Sequence, residues 1–301
     1  AWAAPLAATS GFTPHHRKGR SLPMGSEEHT GRMKAGLVGC GNIGADLCIA
    51  LQKGEIPAEF VALTDVEEAR AKVLQRSFHL SAEILPLEET VAAADFVVEA
   101  AVAAAVKDVV EACIRHHKDC LIMSVGGLMM HPELMDLARE HSIQIRIPSG
   151  ALCGLDGIRA AMQAGLHSVT LTTRKPPKGL ANAPYLIEKG IDLDALTKPT
   201  VIFEGNALEA VKAFPANVNV AAALSLAGIG PRETRVKVIA DPNATENSHE
   251  VRAEGAFGRL ETRTVNLPSP RNAKSSYLAS LSACAELKAA ALAFATQCVG
   301  H

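Results

Sequence analysis

Three glycines, an aspartate and a histidine carry most of the chemistry legible in this chain. Residues 35–44 read AGLVGCGNIG, an apolar run that breaks into Gly39-x-Gly41-x-x-Gly44. Asp65 closes the next apolar segment, residues 60–64, about twenty positions further on, the spacing of a dinucleotide-binding turn and its ribose partner. In such a turn Gly39 permits the sharp exit from a strand, Gly41 lets backbone approach a pyrophosphate, and Gly44 lets the following helix pack closely on the sheet. Asn42 and Ile43 open that helix, whose free N–H groups and positive dipole end face the phosphates. A carboxylate at Asp65 accepts from a ribose 2′-hydroxyl and would repel a 2′-phosphate, which favours NAD, with NADP the alternative cofactor. The same side chain is also placed to cap the helix beginning near Val66.

The second half holds the groups able to act on a substrate. His249 stands between Asn247-Ser248 and Glu250 where a strand begins. Imidazole titrates near neutral pH and passes a proton when an amine and an imine interconvert or when water attacks; a turn histidine beside an exposed strand is the plainer reading. Asn217 and Asn219 flank Val218 ahead of a helix. An asparagine there either caps the helix or offers its amide to a nicotinamide carboxamide or a carboxylate. Arg174 and Lys175 end a strand and can pair with substrate carboxylates, Arg by a two-pronged fork, unless they are simply exposed strand-end charges. Backbone N–H groups around Ser149 are a further candidate for the carboxylates. No His and Cys residues cluster at ligand spacing, and no metal is expected.

These groups need a scaffold that brings strand ends together. Residues 60–64, 95–101 and 119–125 are continuous apolar runs that alternate with helical stretches at 45–53, 67–78 and 103–117. Strands apolar on both faces are covered on both faces, which means an α/β fold with a doubly wound parallel sheet of Rossmann type. Ligands in such sheets lie at the carboxyl ends of the strands, near the reversal of strand order. Residues 99–101, Ser124 with Val125 and Gly126, and Ser149 with Gly150 fall at those ends and are candidate cofactor-lining turns. From about residue 147 the pattern changes. Residues 167–174, 201–204, 235–240, 250–256 and 260–265 read as strands, several with one polar and one apolar face, so a second, α+β domain carries its own sheet. The expected division is a flexible extension at 1–32, a dinucleotide-binding domain at 33–148, a substrate domain at 149–270, and a C-terminal helix within 271–301 that packs back on the first domain.

With 301 residues and 48 % hydrophobic content, the chain can bury two sizeable cores. Thirty basic residues are spread along it against thirty-two acidic ones, a net charge of −2, which gives no basic stripe for nucleic acid or anionic lipid. No run approaches the eighteen or so apolar residues of a membrane span. A small-molecule partner is the expectation, with no nucleic acid and no membrane. Seven cysteines, an odd number without a C-x-x-C pair, read as reduced thiols and a cytoplasmic setting. Residues 1–32 hold turn formers and a basic cluster at Arg17, Lys18 and Arg20, with no acid before Glu27; organellar targeting is the alternative this stretch leaves open. The second sheet offers edges for self-association, and a homodimer is expected.

Together, the segments GLVGCGNIG, SVGGL, IPSGALCGLDGIRAA, TTRKPP, FPANVNVAAALSLAG and ADPNATENSHEV resemble the L-aspartate dehydrogenase family from about Lys34 to about Leu292. The glycine motif is generic, whereas FPANVNVAA together with NSHE is specific. The resemblance implies NAD(P)-dependent oxidation of L-aspartate to iminosuccinate, which hydrolyses to oxaloacetate and ammonia, or the reverse amination. In some organisms that imine feeds NAD biosynthesis. It further implies that His249 is the catalytic histidine and that Asn219 contacts the cofactor. Cys153 falls at a cofactor-contacting position where the family commonly has alanine; a backbone contact would survive the change. Two other readings stand beside this one: an amino-acid-pathway reductase of the same plan, such as dihydrodipicolinate reductase or homoserine dehydrogenase, and a protein that senses NAD(H) without catalysis.

Overall fold

The computed structural model describes residues 31–215 and 219–298, so nearly all of the expected extension, and Asn217, lie outside the described residues. The chain opens with β1 (Met33–Val38), α1 (Asn42–Gln52), β2 (Ala58–Thr64), α2 (Glu68–Ser77), β3 (Glu83–Ile84) and α3 (Leu87–Ala93). It continues through β4 (Phe96–Glu99), α4 (Val106–Arg115), β5 (Asp119–Ile122), α5 (Gly126–Met130), α6 (Glu133–Glu140) and β6 (Ile145–Arg146). These strands pair in parallel in the order β3-β2-β1-β4-β5-β6. The chain leaves β1 toward β2 and β3, then returns to the other side of β1 for β4. Strand order therefore reverses between β1 and β4, which opens a crevice at their carboxyl ends.

The pleat sends alternate residues into two dry layers. Leu37 and Val98 pack with Leu47 of α1 on one side, while Val38, Val97 and Ile122 pack with Val109 and Val110 of α4 on the other. Burial on both faces is why these strands read as unbroken apolar runs. Helix α4 buries Val106, Val109, Val110 and Cys113, spaced by three and four so that they share one face.

The second half contains α7 (Leu155–Met162), β7 (Leu166–Lys175), α8 (Pro184–Lys189), β8 (Thr200–Asn206), α9 (Ala207–Ala213) and α10 (Asn219–Ala227). It ends with β9 (Arg235–Ala240), β10 (Asn247–Gly255), β11 (Gly258–Asn266), the short pair β12 (Pro268–Ser269) and β13 (Asn272–Ser276), and α11 (Tyr277–Cys298). Its sheet runs β11-β10-β7-β9-β8, with β7 and β9 parallel and the other neighbours antiparallel. Val169, Leu171, Val236, Val238, Val251 and Ala253 on its inner face belong to the same apolar cluster as Val38 and Val97, so the two sheets share a core. Thr170, Thr172 and Arg252 lie on the outer face, half-buried or exposed.

Helix α11 returns to the first sheet and buries Ala283, Leu287, Ala290 and Ala291 among Leu37, Leu47 and Leu121. Just ahead of it, Arg271 Nε donates to Asp46 Oδ1 of α1 at 3.2 Å. The helix corrects the expectation that no run approaches the length of a membrane span. Over Tyr277–Thr296 its mean hydropathy is 1.4, so among the described residues it is long and apolar enough to cross a membrane by length and composition. Small alanines raise that mean, and they are also what lets α11 lie close against α1. Glu286 on the same helix pairs with Arg146 at 3.6 Å.

Candidate active site

At the crevice, Gly39 has φ +95°, and a Cβ built there would lie 2.6 Å from backbone atoms of Ala100 and Ala101. A Cβ on Gly44 would meet the Gly39 carbonyl oxygen at 3.0 Å, whereas one on Gly41 would meet nothing within 4 Å. The outer glycines are pinned by neighbours and the middle one borders open space, as a pyrophosphate-admitting turn requires. Helix α1 starts there with no acid in its first turn and no side-chain cap. Its N–H groups, with exposed Asn42 and half-buried Ile43 leading, are thereby left to an anion.

Asp65 ties this turn to the next helix. Its Oδ2 accepts the Cys40 N–H at 2.8 Å and its Oδ1 accepts the Glu67 N–H at 2.9 Å. Each oxygen keeps a further lone pair, so the carboxylate can serve the turn, the start of α2 and a ribose hydroxyl together. Burial, then the charge of Asp65, pushes the Cys40 thiol up to about 12, which makes it a packing group. The residues present fit a dinucleotide.

On the far side of β1, the turns after β4 and β5 face the crevice. The Ser124 hydroxyl donates to Glu99 Oε1 at 2.8 Å and its N–H to Glu99 Oε2 at 2.9 Å. Ser124 therefore shapes this edge with both donors already engaged, and Val125 is buried behind it. Asn219, the first residue of α10, accepts the Gly126 N–H on its Oδ1 at 3.2 Å. That bond brings the second half of the chain to the crevice.

Below it, β7, β10 and β11 lay two polar ranks on the inner face of the second sheet. Thr173, His249 and Thr264 pair in register across the three strands. The next rank holds Lys175 and the Asn247–Asn266 pair. His249 is 3 % exposed and Lys175 5 %. Thr173 Oγ1 lies 3.1 Å from His249 Nδ1. Burial first, and then the Lys175 charge, push the His249 pKa down to about 3. Burial pushes Lys175 down to about 8. The influence runs one way, because His249 is already neutral where Lys175 titrates. At neutral pH the ring is an uncharged base and Lys175 is the cation.

Strand β11 also fixes the loop that carries Ser149 and Cys153. Thr264 Oγ1 donates to the Ala151 carbonyl at 2.8 Å, Asn266 Nδ2 to the same oxygen at 3.3 Å, and Thr262 Oγ1 to the Cys153 carbonyl at 3.3 Å. Ser149 is half-buried with its carbonyl accepting the Leu152 N–H at 3.2 Å, and the Cys153 side chain is exposed.

The expected pair of carboxylate-holding cations is split. Lys175 faces His249, but Arg174, one residue earlier, is turned by the pleat to the outer face, where its guanidinium pairs with Asp241 at 2.9 Å. Thr173, Asn247, Thr264 and Asn266 are side chains of the site that sequence reasoning did not single out, and Glu99 was marked only as part of a candidate cofactor-lining turn. Alternation along β7 places Thr173 and Lys175 together, whereas the cross-strand ranks need a register that no local signal supplies. Among the described residues, no group of three or more His, Cys, Asp or Glu gathers as a metal site would need.

Known proteins match this arrangement in two parts. A family model described as the aspartate dehydrogenase C-terminal domain matches residues 156–290, and one described as the homoserine dehydrogenase NAD-binding domain matches residues 39–148. An L-aspartate dehydrogenase of Methanosarcina acetivorans is 50 % identical over 260 residues, 85 % of this chain and 96 % of the relative. One from Bradyrhizobium diazoefficiens is 38 % identical over 278 residues, 92 % of this chain and 97 % of the relative. Among solved structures, the aspartate dehydrogenase of Thermotoga maritima superimposes with a TM-score of 0.64 at 25 % identity, covering 86 % of this chain and 96 % of that one.

Proposed function

The chain belongs to the L-aspartate dehydrogenase family and oxidises L-aspartate with a pyridine nucleotide, and we propose that His249 is the residue that moves the proton at its reacting centre. The observation that carries this is the neutral, buried imidazole held between Thr173 and Thr264, one rank from the Lys175 cation. When bound, the nicotinamide takes up the two electrons and the hydrogen that leave Cα of aspartate as the amine becomes an imine. In our reading Nδ1 of His249 carries its proton toward Thr173 Oγ1, which leaves the Nε2 lone pair for the substrate. That nitrogen accepts a proton from the water that attacks the imine carbon and returns it as ammonia departs. Lys175 neutralises a substrate carboxylate, and backbone N–H groups of the loop around Ser149 receive the other.

For the cofactor, the Gly39–Gly44 turn and the N–H groups of Asn42 and Ile43 would hold the pyrophosphate, and Asp65 the adenosine ribose. We propose NAD over NADP, because a 2′-phosphate would meet the Asp65 carboxylate. The turns at Ser124 and Val125, the loop at Cys153, and Asn219 would line the nicotinamide end. Residues 33–148 would hold most of the cofactor, and 149–270 the substrate together with the nicotinamide contacts of Cys153 and Asn219. The buried thiols of Cys48 and Cys113 suit a reducing compartment, the cytoplasm in our reading. The exposed edge strand β11 of the second sheet suits pairing of two copies into a homodimer.

The deciding experiment follows nucleotide reduction with L-aspartate, homoserine and dihydrodipicolinate side by side, for the natural sequence and for His249→Ala. Turnover of aspartate that collapses in the folded variant supports the assignment. Aspartate turnover that survives His249→Ala removes His249 from the chemistry.

A further inference from the structure

Glu99 ends β4 with its side chain 0 % exposed, and no step above uses it. A carboxylate in such a place is costly unless donors satisfy it. Three do: Oε1 accepts the Ala101 N–H at 2.8 Å and the Ser124 hydroxyl at 2.8 Å, and Oε2 accepts the Ser124 N–H at 2.9 Å. Burial pushes the Glu99 pKa up and these bonds pull it back. All three donors sit in the turns after β4 and β5, on the opposite side of β1 from Asp65.

Both turns are joined to the rest of the site. The stretch Ala100–Ala101 is wedged against Gly39, where a Cβ would come within 2.6 Å. The turn after β5 runs on to Gly126, whose N–H is held by Asn219. One side chain thus joins two strand ends and, through Gly126, meets the start of α10, while the glycine turn only packs against Ala100–Ala101.

We propose that Glu99 is a positioning residue for the nicotinamide half of the cofactor: its carboxylate locks the turns after β4 and β5 into one arrangement before the dinucleotide arrives. The proposal rests on the dinucleotide reading of the crevice. A floor that is already ordered spares the complex the entropy of ordering two separate loops. The adenosine half is built by other groups, the glycine turn and Asp65, neither of which bonds to Glu99.

The test separates the two halves. Glu99→Gln keeps the shape, but whichever way the amide turns, either the Ala101 or the Ser124 N–H loses its acceptor. Ser124→Ala removes the hydroxyl alone. NADH binding to the cofactor-free protein is measured by its fluorescence, and ADP binding by calorimetry. Glu99→Gln is expected to weaken NADH binding about tenfold and Ser124→Ala about threefold, with ADP binding unchanged within about twofold in both, as befits a buried donor left unpaired beside one half of the ligand. Unchanged NADH binding in Glu99→Gln overturns the proposal, and so does an equal loss for NADH and ADP, which marks general loosening. If Glu99→Gln does not fold, the same split read on Ser124→Ala decides. A natural protein that binds no NADH sinks the dinucleotide reading itself, whereas NADH binding that ignores Glu99 sinks only this role.

Discussion

Thr173 Oγ1 and His249 Nδ1 are 3.1 Å apart on neighbouring strands, paired in register on the inner face of the second sheet. In the proposed role of His249, the contact would orient the ring and set which nitrogen is left for the substrate. Thr173→Val keeps the volume and removes the hydroxyl. It is expected to lower kcat about tenfold while leaving the Kd for NADH unchanged, and Thr173→Ser should restore most of the loss. Steady-state kinetics beside a fluorescence titration decide it: full kcat in the valine variant refutes the orienting role.

Lys175 pays for its position in stability. Its ordinary value of 10.5 is pushed down to about 8 by burial. Below pH 8 the folded and unfolded chains both carry the ammonium, so the folded state bears the whole cost of burying it. Between about 8 and 10.5 the folded state sheds the proton first, and stability rises with pH through that window. Lys175→Met should therefore be more stable than the natural protein by about 2–3 kcal/mol at neutral pH, with the gap closing above pH 10.5. Urea unfolding at a series of pH values checks this, and a gap that stays constant counts against it. The same variant should raise the KM for aspartate at least tenfold, as a lost charge-assisted contact does.

How much of this was written locally in the chain differs between the halves. The parallel sheet was legible because strands such as β4 and β5 are apolar on both faces and the turn Gly39–Gly44 punctuates the first of them. Strand β3, two residues long, and β6, also two, were not, since neither has room for a period. Helix α8 is six residues long and meets the core through Leu186 and through Tyr185, whose ring lies against Phe203 and Phe214, which is too short a stretch to show a helical period. The capping box of Asn206 and Glu209 that opens α9 was present as N-x-x-E and is a signal that local reading can use.

In the site, His249 was legible as a titratable group in a polar stretch, but its neighbours were not. Thr264 lies beside it only because β11 pairs with β10 in one register, and a slip of one residue would send Thr264 to the outer face. Glu99 was legible as part of a candidate cofactor-lining turn, but not as the acceptor that joins two such turns. Its partner Ser124 is twenty-five residues away, joined to it by the parallel order of β4 and β5 rather than by any motif.

Asp65 supports a prediction about cofactor choice. Its carboxylate serves the Cys40 and Glu67 N–H groups, and in the proposed NAD reading it would repel a 2′-phosphate. Asp65→Ser removes the charge and keeps a short acceptor. It should weaken NAD binding about tenfold and NADP binding less, so the ratio of the two affinities shifts toward NADP. Calorimetric titration with each nucleotide reads the ratio. An unchanged ratio would mean that Asp65 only braces the turn.

Arg174 provides the sharpest contrast with its neighbour. Both are cations at the end of β7, one residue apart, and the pleat puts them on opposite faces. Arg174 is 38 % exposed at the side chain and bonded to Asp241, whose side chain is 10 % exposed, so removing the guanidinium leaves a largely buried carboxylate oxygen without its partner. Arg174→Ala is therefore expected to leave the KM for aspartate within about twofold while costing about 1–2 kcal/mol of stability. If Arg174→Ala instead raises that KM as far as Lys175→Met does, the substrate reaches the outer face.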